Sequence, residues 1–423
     1  MEELSDREKQ LNHQERRQGL LILLSFLMYT LLLTGRYSYS ANIPSIIEYY
    51  GITRADAGLV GTLFNISCGI AQILHTFFCK YYPKRYVLAA VFLFSGILNL
   101  ALFFRPSFEH IKYIWMFHGI CQSVFWSTFI LMLSKSLSPK NMKRAVLAIG
   151  FSVFAGKLLA YGGRALLTSE TFHVLFLLTA ILLIVIGAIW FFSCNVLTSE
   201  KYSHKSEKTS ESVSNKKSIS FAFVTFLVVC FILTIPDCFI KEGVSSWMPS
   251  ILIEEFRLDD DLSLVLTLVL PVFGLFGTWL ALAGHRWIQD FRYLLLLFFV
   301  CLSGCIGGAV LSMQKDNTVV LLICSGCAVC LANAISTVLV TIMPLEMREH
   351  INSGFLTGVM NTGGFLGIAA STYGMGKIAD DSGWNTVFLV LFAAAAVSAL
   401  LSAAIAVFRL IHVQREKRIQ SNQ

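Results

Sequence analysis

Apolar residues run along the chain in twelve long blocks separated by short polar stretches, near 19–47, 57–79, 86–104, 113–133, 145–167, 173–194, 220–252, 263–284, 293–312, 318–342, 351–376 and 385–408. Each is close to the ~20 residues a helix needs to cross about 30 Å of hydrocarbon. Inside lipid every backbone polar group must find its partner within the segment, so blocks of this length predict membrane-spanning helices. The block at 19–47 is longer than the core of a cleaved leader, contains Arg36 and shows no small-residue cleavage site, so it reads as the first of the twelve.

The polar stretches organise these helices. Only Thr198–Ser218 is long, and its Ser, Thr, Lys and Glu residues carry no apolar period, which reads as a flexible linker. The expected organisation is therefore an N-terminal six-helix bundle over 1–197, a linker over 198–218 and a C-terminal six-helix bundle over 219–423. Composition leaves no soluble alternative: 56% of the 423 residues are hydrophobic and 14% charged, against roughly a quarter charged in a water-soluble domain.

Charge orients the bundle, because cytoplasmic loops retain Lys and Arg. Of the 33 Lys and Arg residues, 23 fall in the termini, the linker and the even-numbered loops, and 7 in the odd-numbered loops. Both termini are thus expected in the cytoplasm of a multi-pass plasma-membrane protein. The formal charge of +7 follows from this topology and calls for no nucleic-acid partner. The remaining three cations, Arg36, Lys157 and Lys241, lie inside predicted helices.

The two halves superpose with a shift of 205 residues. Ser40-Ala41-Asn42-Ile43-Pro44-Ser45-Ile46-Ile47 meets Ser245-Ser246-Trp247-Met248-Pro249-Ser250-Ile251-Leu252, and Arg36 meets Lys241. A shift of 208 lays Gly150 and Gly156 on Gly358 and Gly364. Repeated halves around intramembrane charges point to a secondary transporter whose site lies at the midplane between the repeats.

A mid-bilayer cation persists where it faces a polar cavity or a partner. Arg36 and Lys241, both positive, repel each other, and an anion between them relieves that repulsion; the alternative is an ion pair with a neighbouring helix. Lys157 either lines the same cavity or extends its ammonium outward. Asp237 precedes Lys241 by one helical turn, so it can pair with the lysine or take a proton when substrate claims it. Gln72 and His118 are polar groups at membrane depth that can bond a substrate or another helix. Tyr29 shares a face with Arg36 and can close the cavity or pack in the core.

Other patterns carry no chemistry. Cys324, Cys327 and Cys330, like Cys301 and Cys305, occupy small-residue positions of apolar helices, so packing is expected rather than metal ligation, and the eleven cysteines form no disulfide framework. Gly150 to Lys157 lacks the spacing of a phosphate-binding loop, and no catalytic acid pair or metal motif stands out. Neither cofactor, metal nor enzymatic activity is expected, and a monomer in the lipid bilayer suffices.

At Arg36, Pro44, Lys241 and Pro249, through Ile240-Lys241-Glu242-Gly243-Val244-Ser245-Ser246-Trp247-Met248-Pro249, and at Gly354-Phe355-Leu356-Thr357-Gly358 with Gly363-Gly364 and Gly383-Trp384, the sequence resembles the organophosphate:phosphate antiporter family of the major facilitator superfamily. That resemblance implies an all-α membrane protein, twelve transmembrane helices in two pseudo-symmetric six-helix bundles. It also implies alternating access, with an organic phosphate exchanged for inorganic phosphate. The family's two phosphate-holding arginines fall on Arg36 and Lys241, and its first-helix tyrosine on Tyr29. Gln72 stands where the family has lysine, and Leu158, beside Lys157, where it has histidine. Asp237 has no counterpart, which motivates the alternative of a proton-coupled carboxylate or sugar-acid symporter. A transporter-like sensor of sugar phosphate is a further alternative.

Overall fold

The computed structural model describes the backbone of residues 2–78, 81, 83–168, 170–198, 221–347, 351 and 353–421. Beyond Thr198, the expected linker lies outside the described residues. Every regular element among them is helical. In the first half these are α1 (Glu2–Tyr50), α2 (Arg54–Phe78), α3 (Lys84–Phe103), α4 (Phe108–Ser136), α5 (Pro139–Ala165) and α6 (Val174–Leu197). In the second half α7 spans Phe221–Glu254, α8 comprises Asp260–Thr267 and Val269–Trp287, and α9 spans Phe291–Gln314. Helix α10 runs from Thr318 to Glu346 through a π-turn at Val338–Ile342. The helical stretch Ser353–Ser421 breaks at Gly383, where φ is 78°, into α11 and α12. A positive φ is a conformation that glycine adopts without steric penalty. The fold is thus an all-α membrane protein with twelve transmembrane helices in two pseudo-symmetric six-helix bundles.

Helix interruptions follow from proline chemistry, since proline lacks an N–H and its ring crowds the carbonyl four residues back. Pro271 faces the carbonyl of Thr267, where α8 divides at Leu268. Pro344 cannot donate to Val340, and α10 relaxes into its π-turn there; Thr357 Oγ1 of α11 donates to the Val340 carbonyl at 3.0 Å instead. Hydropathy alone, which predicted one uninterrupted helix in each place, does not see these events.

Two compact units divide the chain: one holds 1–51 with residues from 63 to the end of α6, the other 52–62 with α7 onward. In the first unit α1 packs on α5 and α6, and α3 on α6 and α4. A methyl built on Gly119 of α4 would lie 2.3 Å from the Phe64 carbonyl, so the backbones of α2 and α4 touch there. In the second unit α7 packs on α11, α8 on α10, and α9 on α12. The order of partners, first with fifth, second with fourth and third with sixth, is the same in both halves.

The repeat is also visible at atomic detail. A methyl on Gly156 would meet Leu33 at 2.7 Å, and one on Gly364 would meet Cys238 Sγ at 3.1 Å. Leu33 and Cys238 are related by the 205-residue shift, Gly156 and Gly364 by the 208-residue shift, so both sequence matches meet at one kind of helix crossing. Small residues let backbones approach where lipid supplies no hydrophobic drive for association. On α6, Leu178, Ile181, Leu182, Val185 and Ile189 are exposed, whereas Ala180, Leu183, Ile186 and Trp190 are buried. A helix apolar on both faces suits a bundle whose outer surface meets hydrocarbon.

One expectation changes. Arg164, counted from sequence among the seven cations of the odd-numbered loops, closes the last turn of α5 and is 1% exposed. It donates to the Leu167 carbonyl at 2.6 Å and to Ser45 Oγ, which holds the guanidinium against α1.

Candidate functional site

In the first unit, Arg36 is half-buried midway along α1. Its Nη2 donates to Asn65 Oδ1 of α2 at 2.8 Å, and its guanidinium carbon lies 5.0 Å from the centroid of the Phe64 ring. A neutral amide acceptor and an aromatic face orient the cation. Behind Phe64 stand His118, with ring centroids 5.6 Å apart, and Trp115, 4.6 Å from His118. His118 is fully buried; its Nε2 is 3.0 Å from Gln122 Nε2, and Gln122 also donates to the Leu32 carbonyl at 3.2 Å. His118 thus belongs to the layer that supports Phe64 and α1.

In the second unit, a cavity of about 270 Å³ opens among α7, α8, α10 and α11. Asp237 and Lys241 lie on its α7 wall, with Ser336 and Asn333 from α10 and Asn361 from α11. The one-turn spacing of Asp237 and Lys241 brings both to this face, as the sequence anticipated. Ser336 stands between them: Lys241 Nζ donates to Ser336 Oγ at 3.1 Å, and Ser336 Oγ donates to Asp237 Oδ2 at 2.5 Å. Asp237 is 1% exposed, and its Oδ1 accepts no hydrogen bond from the described residues. The π-turn residues Val340 and Thr341 line the same cavity, so the irregular backbone of α10 sits where it borders a polar space.

The other sequence candidates are placed as follows. Lys157 is buried, with Nζ 4.7 Å from the Tyr37 ring centroid, so it meets α1 one residue beyond Arg36, on another face. Tyr29 stacks on Phe125 at 5.9 Å and tilts against Trp126 at 5.3 Å, within the apolar core of the first unit. Gln72 is half-buried in the later turns of α2. Around the α10 cysteines the helices approach closely: a methyl on Gly308 of α9 would lie 2.8 Å from Cys324 Sγ, and one on Gly277 of α8 2.4 Å from the Cys330 carbonyl. Asn65, Phe64 and Ser336 were not singled out from sequence, although an asparagine and a serine within apolar helices are the kind of signal that would have marked two of them.

Six helices in each half, paired by one rule and each carrying a cation held by polar partners, define a membrane transporter of the alternating-access type. The chain belongs to the Major Facilitator Superfamily, whose family model matches residues 25–372. Over 102 residues it is 26% identical to the membrane sensor protein UhpC of Escherichia coli (strain K12), covering 24% of this chain and 23% of that protein. The UhpC of Salmonella typhimurium is 27% identical over 97 residues, covering 23% of this chain and 22% of that protein. The chain thus spans less than a quarter of the length of these curated relatives. Among solved structures, the D-xylose-proton symporter superposes with a TM-score of 0.72 at 13% identity, covering 90% of this chain and 96% of that one. A bacterial homologue of the human lysosomal transporter Spinster superposes with a TM-score of 0.70 at 12% identity, covering 92% and 96%. At such identities these structures speak to the fold.

Proposed function

We propose that the protein is a secondary transporter of a small organic anion, an organic phosphate exchanged for inorganic phosphate. The observation that carries this reading is that Arg36 and Lys241, repeat-related cations within apolar helices, each donate to a polar side chain, Asn65 and Ser336. Each bundle contributes one cation to the transported anion, and binding neutralises both. Arg36 supplies a planar fork that matches two phosphate oxygens, and Lys241 a compact charge. Without an anion two like charges oppose closure of the site, and with one bound that opposition is removed, which couples rocking of the bundles to occupancy. His118 and Gln122 support the Arg36 side, while Lys157, Tyr29 and Gln72 are proposed to border the substrate path.

The proposal includes a monomer in the plasma membrane, with both termini in the cytoplasm on the strength of the Lys and Arg distribution. Proteoliposomes loaded with inorganic phosphate test the reading: external phosphate esters should drive phosphate out, and a proton uncoupler should leave the exchange unchanged.

Asp237 favours a second reading, a proton-coupled carboxylate or sugar-acid symporter. Its buried carboxyl shares Ser336 with Lys241, so an anion that claims the lysine would leave a carboxylate whose charge a proton can remove. Substrate-driven proton uptake that disappears in Asp237→Asn would establish it. The local likeness to a protein named a membrane sensor supports a sensing role; purified protein that binds a sugar phosphate but moves none would establish that.

A further inference from the structure

The cavity of the second unit holds both signs of charge in one wall, with a single hydroxyl between them. Ser336 Oγ accepts from Lys241 and donates to Asp237 Oδ2, so the ammonium and the carboxylate are about one hydroxyl apart. Asp237 Oδ2 is served, with Cys238 Sγ as a further neighbour at 4.0 Å. Asp237 is 1% exposed and lines the cavity, and its Oδ1 is buried without a hydrogen-bond donor among the described residues. Buried polar atoms in native structures nearly always have partners, and a carboxylate only half served in a cavity wall can turn toward a donor that enters the cavity. The neighbouring cavity side chains Asn333, Thr337 and Asn361 carry further acceptor oxygens and no charge.

Resting on the phosphate reading above, we infer that the transported organic phosphate is zwitterionic: its phosphoryl oxygens engage Lys241, and an ammonium group on its body pairs with the Asp237 carboxylate. A purely anionic ester meets a carboxylate in this cavity and is repelled by it. An amino ester places opposite charges against Lys241 and Asp237 at once, and a chain of two carbons between phosphate and nitrogen suits charges set one hydroxyl apart. Asp237 is then the specificity-determining residue, and Lys241 and Arg36 the anion-holding ones. The ammonium keeps its proton throughout, so recognition by Asp237 requires no proton transfer.

Competition against labelled phosphate exchange in proteoliposomes tests this with a matched pair, 2-aminoethyl phosphate and 2-hydroxyethyl phosphate. The wild-type protein should prefer the amine by about tenfold, a charge-assisted hydrogen bond against a neutral one. N-Trimethylation, which removes every N–H donor, should erase most of that preference; this arm needs no variant and so does not depend on how Asp237→Asn folds. In Asp237→Asn the ratio of the two esters' inhibition constants should fall to within about twofold, whatever the absolute exchange rate of the variant. Equal competition by both esters in the wild type, or an undiminished preference for the amine in Asp237→Asn, overturns the inference. So does proton uptake through Asp237 that accompanies either ester equally. If the wild type exchanges no phosphate compound, the phosphate reading falls and this inference with it; if phosphate exchanges but the amine gives no advantage, this inference alone falls.

Discussion

Arg36 Nη2 donates to Asn65 Oδ1 at 2.8 Å, fixing a mid-helix guanidinium of α1 against α2. Asn65→Leu should weaken phosphate binding about tenfold, because a buried donor that loses its acceptor costs about 1–3 kcal/mol and the guanidinium loses its orientation. Asn65→Asp should do more harm, since a carboxylate there would pair with Arg36 and compete with the anion. Titration calorimetry of the purified variants with phosphate checks the ranking; an Asn65→Asp variant that binds like wild type would contradict it.

The glycines of the first bundle should separate into two classes. Gly119→Ala would set a methyl 2.3 Å from the Phe64 carbonyl and 2.4 Å from Ser67 Oγ, and should destabilise the protein by about 1–3 kcal/mol through forced helix separation. Gly150 has nothing within 4 Å of the same position, so Gly150→Ala should stabilise by about 0.5–1 kcal/mol through the usual helix-interior preference. Thermal unfolding in detergent should show shifts of opposite sign.

At one end of the second unit, Arg54 binds Glu254 through Nε and Nη2 at 2.8 and 2.6 Å, and Asp380 through Nη1 at 3.0 Å. The Glu254 hydrogen bond is the main cause that raises the Arg54 pKa above its ordinary value, so the pair responds to salt rather than to loss of the arginine's charge. Asp380 also accepts from the backbone N–H of Ala55 at 2.8 Å, capping the first turn of α2. Asp380→Ala should therefore cost about 1–2 kcal/mol and Arg54→Ala about 1 kcal/mol, both less at high salt. Glu254→Gln should cost less than either because it keeps an acceptor for Trp384 Nε1, which now donates to Glu254 Oε2 at 2.7 Å. Melting curves at low and high ionic strength measure all three.

The π-turn makes a coupled pair. Thr357→Val removes the donor that serves the Val340 carbonyl and should cost about 1 kcal/mol. Pro344→Ala restores an N–H at position 344 that can serve the same carbonyl, so in that background Thr357→Val should be close to neutral. Stability measurements on the two single variants and the double variant give the coupling; additivity would contradict the assignment.

The sequence carried the architecture because a lipid-embedded fold is written in block lengths, and the partner rule of each half followed from a repeat that Gly156 and Gly364 make concrete. Arg36, Lys241 and Asp237 stood out because a charge in an apolar run is conspicuous, and the last two do share a cavity wall. Asn65 and Ser336 were missed because a neutral polar residue in such a run has many bland uses, and only three-dimensional placement distinguishes them. Tyr29 shares a helical face with Arg36, and its ring lies against Phe125 and Trp126: periodicity gives a direction but not the neighbour. The α8 break and the α10 π-turn were legible in principle from Pro271 and Pro344, but hydropathy averages over single residues.

In the proposed function, two repeat-related cations act together on one transported anion. Phosphate self-exchange in proteoliposomes, measured for wild type, Arg36→Ala, Lys241→Ala and the double variant at matched reconstitution, tests that most directly. Each single variant should lose at least about 90% of the exchange rate, more than 1.4 kcal/mol, and the double variant should be little worse than either. Normal exchange by both single variants would contradict the account.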